Sequence, residues 1–592
     1  MDVTRTFDLL DRYQEKFPDK EDALAGKTDG TWHKTSTAEY VEKAHLTAYG
    51  LMALGIQRGD KVALCSNNRP EWNFLDMGLA MIGAIGVPVF TTLKQEGYKT
   101  ILEHAEVKMA FVSDAGLYQK FSPLLKEIAS LEKVYTFDEV DGAENWQAVL
   151  ALGGDNKEKF SDEVNNIKQS VAPDDWVTLI YTSGTTGNSK GVMLSHKNLV
   201  TNGASVSGVF QLQPHHKYLS ILPICHVGER MAIYQTQYSG CSLYYGENLG
   251  TIAADLQEIK PQGFGAVPRI LEKVYDKIIL KGEKLTGVKR KLFFWALNLG
   301  LKYELGGANG AWYNIQLGLA RKIIFSKWQA ALGGNVLSIG VGGAALQPRL
   351  EKVFWAAGIK LLNMYGLTET SPVITINRSG PPNIMLGTVG AALENVELKL
   401  AEDGEILCKG PNVMLGYYKD EKATNDAIDQ DGWFHTGDIG VLEDGRFLKI
   451  TDRKKELFKL SNGKYVSPLS IENILKESIF IDQAMVIGEG QKHASAIISP
   501  NMENLRNWRR ENNIQADTDE ELVKNEQVQK YFNEIINTFN KRMEKDDQLR
   551  RCRLVAAEWT PDTGELSPTL KLKRRVINEK YKGLIGEIYG TE

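Results

Sequence analysis

Helix-patterned and strand-patterned runs alternate through the first third of the chain, and this alternation constrains the fold more than any other feature. A helical pattern over 38–54 gives way to Lys-Val-Ala-Leu-Cys at 61–65. A second helical run, 71–86, precedes Val-Pro-Val-Phe-Thr at 87–91, and a third ends before Met-Ala-Phe-Val-Ser at 109–113. Strands alternating with helices at this spacing indicate an α/β domain with a largely parallel sheet. The pattern persists through 217–223, 263–268 and 335–343. From about residue 395 the texture changes to short strand-like runs at 405–408, 439–442 and 446–450, separated by Gly and Asp turns. Beyond 452–456 follows a compact α+β segment with charged helices over 502–546. At 592 residues the chain is too long for one core. The expected architecture is α/β, in two parts. A large N-terminal domain of layered α/β sheets with a β-rich lobe spans 1–452, and a small α+β C-terminal domain spans 453–592.

A net charge of −5 gives no reason to expect nucleic acid as a partner. Cys65, Cys225, Cys241, Cys408 and Cys552 are scattered without a C-x-x-C pair, as in a reduced cytosolic protein. The N-terminus has no apolar core of the signal-peptide kind, and no run approaches the ~20 apolar residues that a spanning helix needs. The expected location is therefore cytoplasmic, or at most attached to a membrane surface.

Residues 181–191 read Tyr-Thr-Ser-Gly-Thr-Thr-Gly-Asn-Ser-Lys-Gly between two apolar, β-rich runs. Such a loop lets backbone N–H groups approach phosphate oxygens. Gly184, Gly187 and Gly191 carry no side chain to block that approach. Thr182, Ser183, Thr185 and Thr186 add donors, and Lys190 adds charge. The plain alternative is a solvated hairpin loop. A Walker A loop is excluded by spacing, because Ser189 stands where its second glycine belongs and the flanking runs are both strands.

A second signal, Tyr-Gly-Leu-Thr-Glu-Thr at 365–370, directly follows an apolar run. A ring can stack on a base, a hydroxyl can bind phosphate and a carboxylate can hold Mg²⁺. Upstream, Gly-Gly-Ala-Ala-Leu at 342–346 offers small residues against which a planar base can lie. Downstream, Asp-Gly-Trp-Phe-His-Thr-Gly-Asp at 431–438 and Asp452-Arg453 supply a carboxylate and a guanidinium suited to ribose hydroxyls. Near the C-terminus, Pro-Thr-Leu-Lys-Leu-Lys-Arg at 568–574 brings a cluster of cations.

In this order the motifs resemble those of the AMP-forming adenylating enzymes: acyl-CoA synthetases, luciferase-like enzymes and peptide-synthetase adenylation domains. The resemblance runs from about 30 to 580. It departs at Ser189, where the family usually has proline, and at Leu570, which replaces a glycine. The resemblance implies a site built as follows. The 182–190 loop binds phosphate. Adenine and the acyl carboxylate lie beside Gly343 and Ala344, with Tyr365 and Gly366 on the base. Thr368 binds the α-phosphate, Glu369 is the Mg²⁺ ligand, and Asp438 and Arg453 bind ribose. Lys455 is a hinge that lets the small domain move, and Lys571 on that domain is the catalytic lysine, with Lys573 as decoy. His226, in Leu-Pro-Ile-Cys-His-Val at 222–227, lines the acyl site.

The stretch 431–455 is similar to one considered characteristic of fatty acyl-CoA synthetases. A long helical insertion between 267 and 335 also favours a long-chain fatty acid. Within it, Leu292, Trp295, Ala296 and Leu299 share one helical face, readable as a surface for a membrane or fatty acid, or equally as a packed helix. The implied activity is that of a long-chain fatty acid–CoA ligase. ATP, fatty acid and CoA would give acyl-CoA, AMP and diphosphate through an acyl-adenylate, with Mg²⁺ as cofactor. An adenylating ligase for aryl, branched or medium-chain acids and a non-catalytic acyl or nucleotide binder stand as alternatives. Peripheral membrane contact, and either a monomer or a homodimer, are compatible with the resemblance.

Overall fold

The computed structural model describes residues 2–182, 189–248, 250–567 and 570–590. These form two compact units. One comprises 1–398 and 408–434; the other comprises 399–407 and 435–592. The β-rich lobe thus groups mainly with the C-terminal segment.

The first unit is built on two large sheets, α/β as the alternation requires. In the eight-stranded sheet, Lys61–Cys65, Ile85–Pro88, Val107–Val112 and Lys133–Thr136 run parallel, and Trp176–Thr182 pairs in parallel with Ile85–Pro88. Their side chains are almost all buried, as expected of parallel strands covered on both faces. The nine-stranded sheet carries Lys217–Ser220, Gly263–Ala266, Ser338–Val341 and Leu361–Gly366 as neighbouring parallel strands. One expected element is shorter than its pattern. The helix read over 71–86 is Pro70–Met81, and Ile85–Pro88 is already strand. Gly83 stops it: its φ of +68° allows a left-handed turn in which the Ala84 N–H returns to the Leu79 carbonyl.

The helix Gly287–Leu301 buries Phe293, Ala296, Leu297 and Leu299, so the face read as a candidate membrane surface is packed on the body. No helix among the described residues is long and apolar enough to cross a membrane. All five cysteines are buried and unpaired.

In the second unit, Phe434–Glu443 and Phe447–Arg453 form an antiparallel pair within a four-stranded sheet. A three-stranded sheet (Ile481–Ile487, Ser495–Pro500, Cys552–Leu554) packs with the helices Pro468–Leu475 and Glu526–Asn540.

Candidate active site

Trp176–Thr182 and Lys190–Ser195 close a hairpin, with Thr182 opposite Lys190 and Tyr181 opposite Gly191. The expected strand–loop–strand setting is therefore present. The loop residues Ser183, Gly184, Thr185, Thr186 and Gly187 lie outside the described residues. Gly191 has a reason other than clearing room for phosphate. A Cβ there would sit 3.0 Å from Leu179 Cδ1 and 3.3 Å from Tyr181 Cζ, so its bareness serves the packing of the hairpin itself.

Lys190 leads to the second motif through a residue that sequence reasoning missed. Gly416–Tyr417 pairs antiparallel with Lys190–Ser195. The Lys190 ammonium stands 4.4 Å from the centroid of the Tyr417 ring. The Tyr417 hydroxyl donates to Glu369 Oε1 at 2.9 Å. Burial, then the Glu369 carboxylate, push the Tyr417 phenol far above its ordinary pKa, so it is a fixed donor. The loop base and the Thr368–Glu369 turn are thus joined through one aromatic side chain. The only signal in the sequence is a Gly-Tyr-Tyr run at 416–418 in a strand-like setting, too common a pattern to single out.

Tyr365 and Gly366 end the strand Leu361–Gly366, and Thr368–Thr370 is a single 3₁₀ turn. Gly366 is obligatory: a Cβ would fall 1.7 Å from the Pro372 carbonyl oxygen. The turn is fixed by the Leu367 N–H donating to Thr370 Oγ1 and by the Met414 N–H donating to the Glu369 carbonyl. Tyr365 is 8% exposed. Gly343 and Ala344 are exposed just past the neighbouring strand Ser338–Val341, and Gly343 has φ +85°. Both groups therefore emerge at the carboxyl ends of adjacent parallel strands, where open α/β sheets bind ligands.

His226 is the N-cap of the helix Val227–Ser239, and its Nδ1 accepts the Gly228 N–H at 3.0 Å. That bond leaves the ring proton on Nε2. Four residues on, Arg230 is fully buried. It donates to Asp76 Oδ1 and Thr178 Oγ1, both at 2.5 Å, and to the Tyr234 hydroxyl at 3.0 Å. Thr178 lies on the strand that ends in Thr182, so this network fastens the His226 helix to the phosphate-loop hairpin. Removing one partner from such a buried pair strands the other charge, at a cost of about 3–5 kcal/mol.

Between them, Glu229 is buried beside Tyr218, Ser220 and Gly265. Burial pushes its carboxyl up to about 8, partly offset by the Ser220 hydroxyl. The folded chain therefore holds a proton that the unfolded chain releases above its ordinary value of 4.5. The stabilising contribution is full below that value and is lost as pH rises through about 8. Glu229→Gln, which has nothing to ionise, should melt roughly 2–4 °C higher than the native chain at alkaline pH, and the gap should close on acidification. Melting curves across this range check it; parallel curves would place the proton elsewhere.

In the second unit, Asp438 and Arg453 face each other in register on antiparallel strands, with Arg453 Nε 3.2 Å from Asp438 Oδ1. The two residues assigned to ribose are thus brought together. Lys455 is exposed in the turn that follows. Its neighbours are held: the Lys454 N–H donates to the Gly437 carbonyl, and Glu456 accepts from Arg574 at 2.9 Å. Arg574 also forks onto both oxygens of buried Glu472 at 2.8 Å. It anchors the start of the helix Arg574–Lys580.

Lys571 is exposed, and its backbone is clasped by Ser567. The Ser567 N–H donates to the Lys571 carbonyl, and the Lys571 N–H donates to Ser567 Oγ. Leu570, standing where the resemblance expects glycine, has φ +61°. The left-handed backbone that glycine would take freely is retained by leucine, at a cost of about 1–2 kcal/mol.

Residues 10–418 match the AMP-binding enzyme family, and 455–592 match the AMP-binding enzyme C-terminal domain. Long-chain-fatty-acid–CoA ligase FadD15 of Mycobacterium bovis is 30% identical over 95% of this chain and 94% of its own. Peroxisomal long chain acyl-CoA synthetase 7 of Arabidopsis thaliana is 30% identical over 95% of this chain and 83% of its own. Among solved structures, the adenylation domain of a carboxylate reductase from Mycobacterium chelonae superposes with a TM-score of 0.75 at 22% identity, covering 99% of this chain and 91% of that one. The anthranilate CoA ligase AuaEII in complex with anthranoyl-AMP does so with a TM-score of 0.71 at 18% identity, covering 98% of each. With its sequence matched over most of its length and its fold shared, the chain belongs to the AMP-binding enzyme family.

Proposed function

We propose that this chain is a long-chain fatty acid–CoA ligase, converting ATP, a fatty acid and CoA to acyl-CoA, AMP and diphosphate through an acyl-adenylate. The observation that carries the adenylating chemistry is Glu369, set by Tyr417 beside Lys190 at the base of the glycine-rich loop. The acyl class rests on the relatives at 30% identity, whose names specify long-chain substrates.

Mg²⁺ fits this arrangement. It favours one or two carboxylates and completes its octahedron with phosphate oxygens and water. Tyr417 engages one oxygen of Glu369, and no cluster of three or more metal-binding side chains occurs among the described residues. When bound, the ion would neutralise charge on the ATP phosphates. Lys190, with Thr182, Ser183, Gly184, Thr185, Thr186 and Gly187, is assigned to the phosphates. Thr368 takes the α-phosphate, Tyr365, Gly366, Gly343 and Ala344 the adenine, and Asp438 and Arg453 the ribose. The acyl carboxylate attacks the α-phosphorus while Lys571 stabilises the charge that develops there. His226, held by its cap bond, presents Nε2 to the acyl site. Lys455 is the hinge between 1–452 and 453–592, admitting CoA for thioester formation.

Glu369→Gln should cut turnover by about 10²-fold or more and raise the Mg²⁺ concentration needed, because an amide is a poor ligand for a hard dication. Mg²⁺ titrations of initial rate check this; an unchanged Mg²⁺ dependence removes Glu369 from the metal. The function itself is tested by incubating the native chain with ATP, CoA and carboxylic acids of graded length. Stoichiometric AMP and palmitoyl-CoA support the proposal. Turnover of aryl or short acids with none of palmitate assigns a different acyl class, and nucleotide binding without AMP formation assigns a non-catalytic role.

A further inference from the structure

The apolar surface left uncovered in the 267–335 insertion is not on the helix that its sequence pattern suggested but on the one after it. The helix Ala311–Ala320 continues through a π turn, Arg321–Phe325, into Ser326–Ala331. One face packs inward through Leu317, Ala320, Phe325 and Trp328. On the other face Trp312 is 72% exposed, Ile315 65%, Leu319 51% and Ile323 39%. The spacing of three, four and four residues puts these side chains in one stripe. Single exposed leucines are ordinary, but a stripe led by a largely exposed tryptophan is not.

The charge around the stripe is predominantly positive. Between Lys284 and Leu350 the only carboxylate is Glu304, which is paired with Lys352, although the whole chain is net negative. Exposed Lys322 and Lys327 lie on the same helix. Trp295 Nε1 bonds to Gln316, and the Tyr313 hydroxyl bonds to the Leu299 carbonyl, so the preceding helix runs antiparallel. That register brings the exposed Lys289, Arg290 and Lys291 to the Ile323 end of the stripe and Lys302 to the Trp312 end.

We infer that this face docks on a lipid bilayer bearing anionic headgroups, with Trp312, Ile315, Leu319 and Ile323 entering the headgroup–acyl boundary. An apolar stripe with tryptophan, rimmed by lysine and arginine with its one acid, Glu304, tied to Lys352, is the pattern of helices that lie in the membrane interface. The inference stands on this surface alone and does not depend on the catalytic reading.

The full chain is sedimented with vesicles of phosphatidylcholine alone or mixed with phosphatidylglycerol. The native chain should sediment with the mixed vesicles and be released by salt. Trp312→Ser combined with Leu319→Ser, and Lys322→Glu combined with Lys327→Glu, should each weaken binding by about tenfold or more. All four positions are exposed, so the variants should keep their native melting temperature. A native chain that stays in solution with both vesicle types overturns the inference, as does binding unchanged in both variants. A native dimer in light scattering that the Trp312 variant converts to monomer, without vesicle binding, gives the stripe to a second copy instead.

Discussion

Lys571→Ala should lose adenylate formation by about 10²–10³-fold while still binding ATP, because one positive charge at the reacting phosphate contributes ~2–4 kcal/mol. The lysine is exposed, and its backbone is held by Ser567 whatever the side chain, so the variant should keep the native melting temperature. Loss of rate would therefore report chemistry rather than folding. Lys573→Ala is the internal control. Lys573 is also exposed, and its backbone N–H donates to the Glu565 carbonyl whatever the side chain. It should stay within a few-fold of the native rate. Thioester formation from supplied acyl-adenylate should survive in both. If Lys573→Ala fails and Lys571→Ala does not, the catalytic lysine is the other one.

Lys455→Pro should separate the two half-reactions. Proline fixes φ near −65° and removes the N–H, so a backbone position that must change its torsions between two states is held in one. The side chain it replaces is exposed. The neighbouring residues keep their own ties, Lys454 to Asp403 and Glu405, and Glu456 to Arg574. We expect single-turnover adenylate formation to persist and CoA-dependent consumption of purified adenylate to fall by about 10²-fold or more. Equal loss in both half-reactions would indicate misfolding, and no loss in either would place the hinge elsewhere. Lys455→Ala, which leaves the backbone free, should resemble the native chain.

Residue patterns that repeat locally were legible in the sequence. The parallel strands at 61–65 and 107–112 declare themselves because both faces are buried, and the hairpin at 176–195 because two apolar runs bracket a glycine loop. Asp438 and Arg453, which the resemblance assigns together to ribose, stand as cross-strand neighbours. Contacts across long separations were not legible. Tyr417 reaches Glu369 and Lys190 only because its short strand joins the sheet edge, and Arg230 reaches Asp76 only because two helices, Val227–Ser239 and Pro70–Met81, converge. Nothing local marks either residue. The helix Gly287–Leu301 was ambiguous for a related reason. An apolar face at helical spacing looks the same whether a protein core or a lipid covers it, and only the packing of Phe293 and Ala296 against the body decides.

The central claim, that this chain adenylates a fatty acid before any thiol is involved, is tested most directly by isotope exchange between pyrophosphate and ATP in the absence of CoA. Label should enter ATP only when a long-chain acid such as palmitate is present, with CoA then diverting the adenylate to thioester and releasing AMP. A chain that binds ATP and palmitate yet shows no acid-dependent exchange, or that forms ADP and phosphate instead, would contradict it.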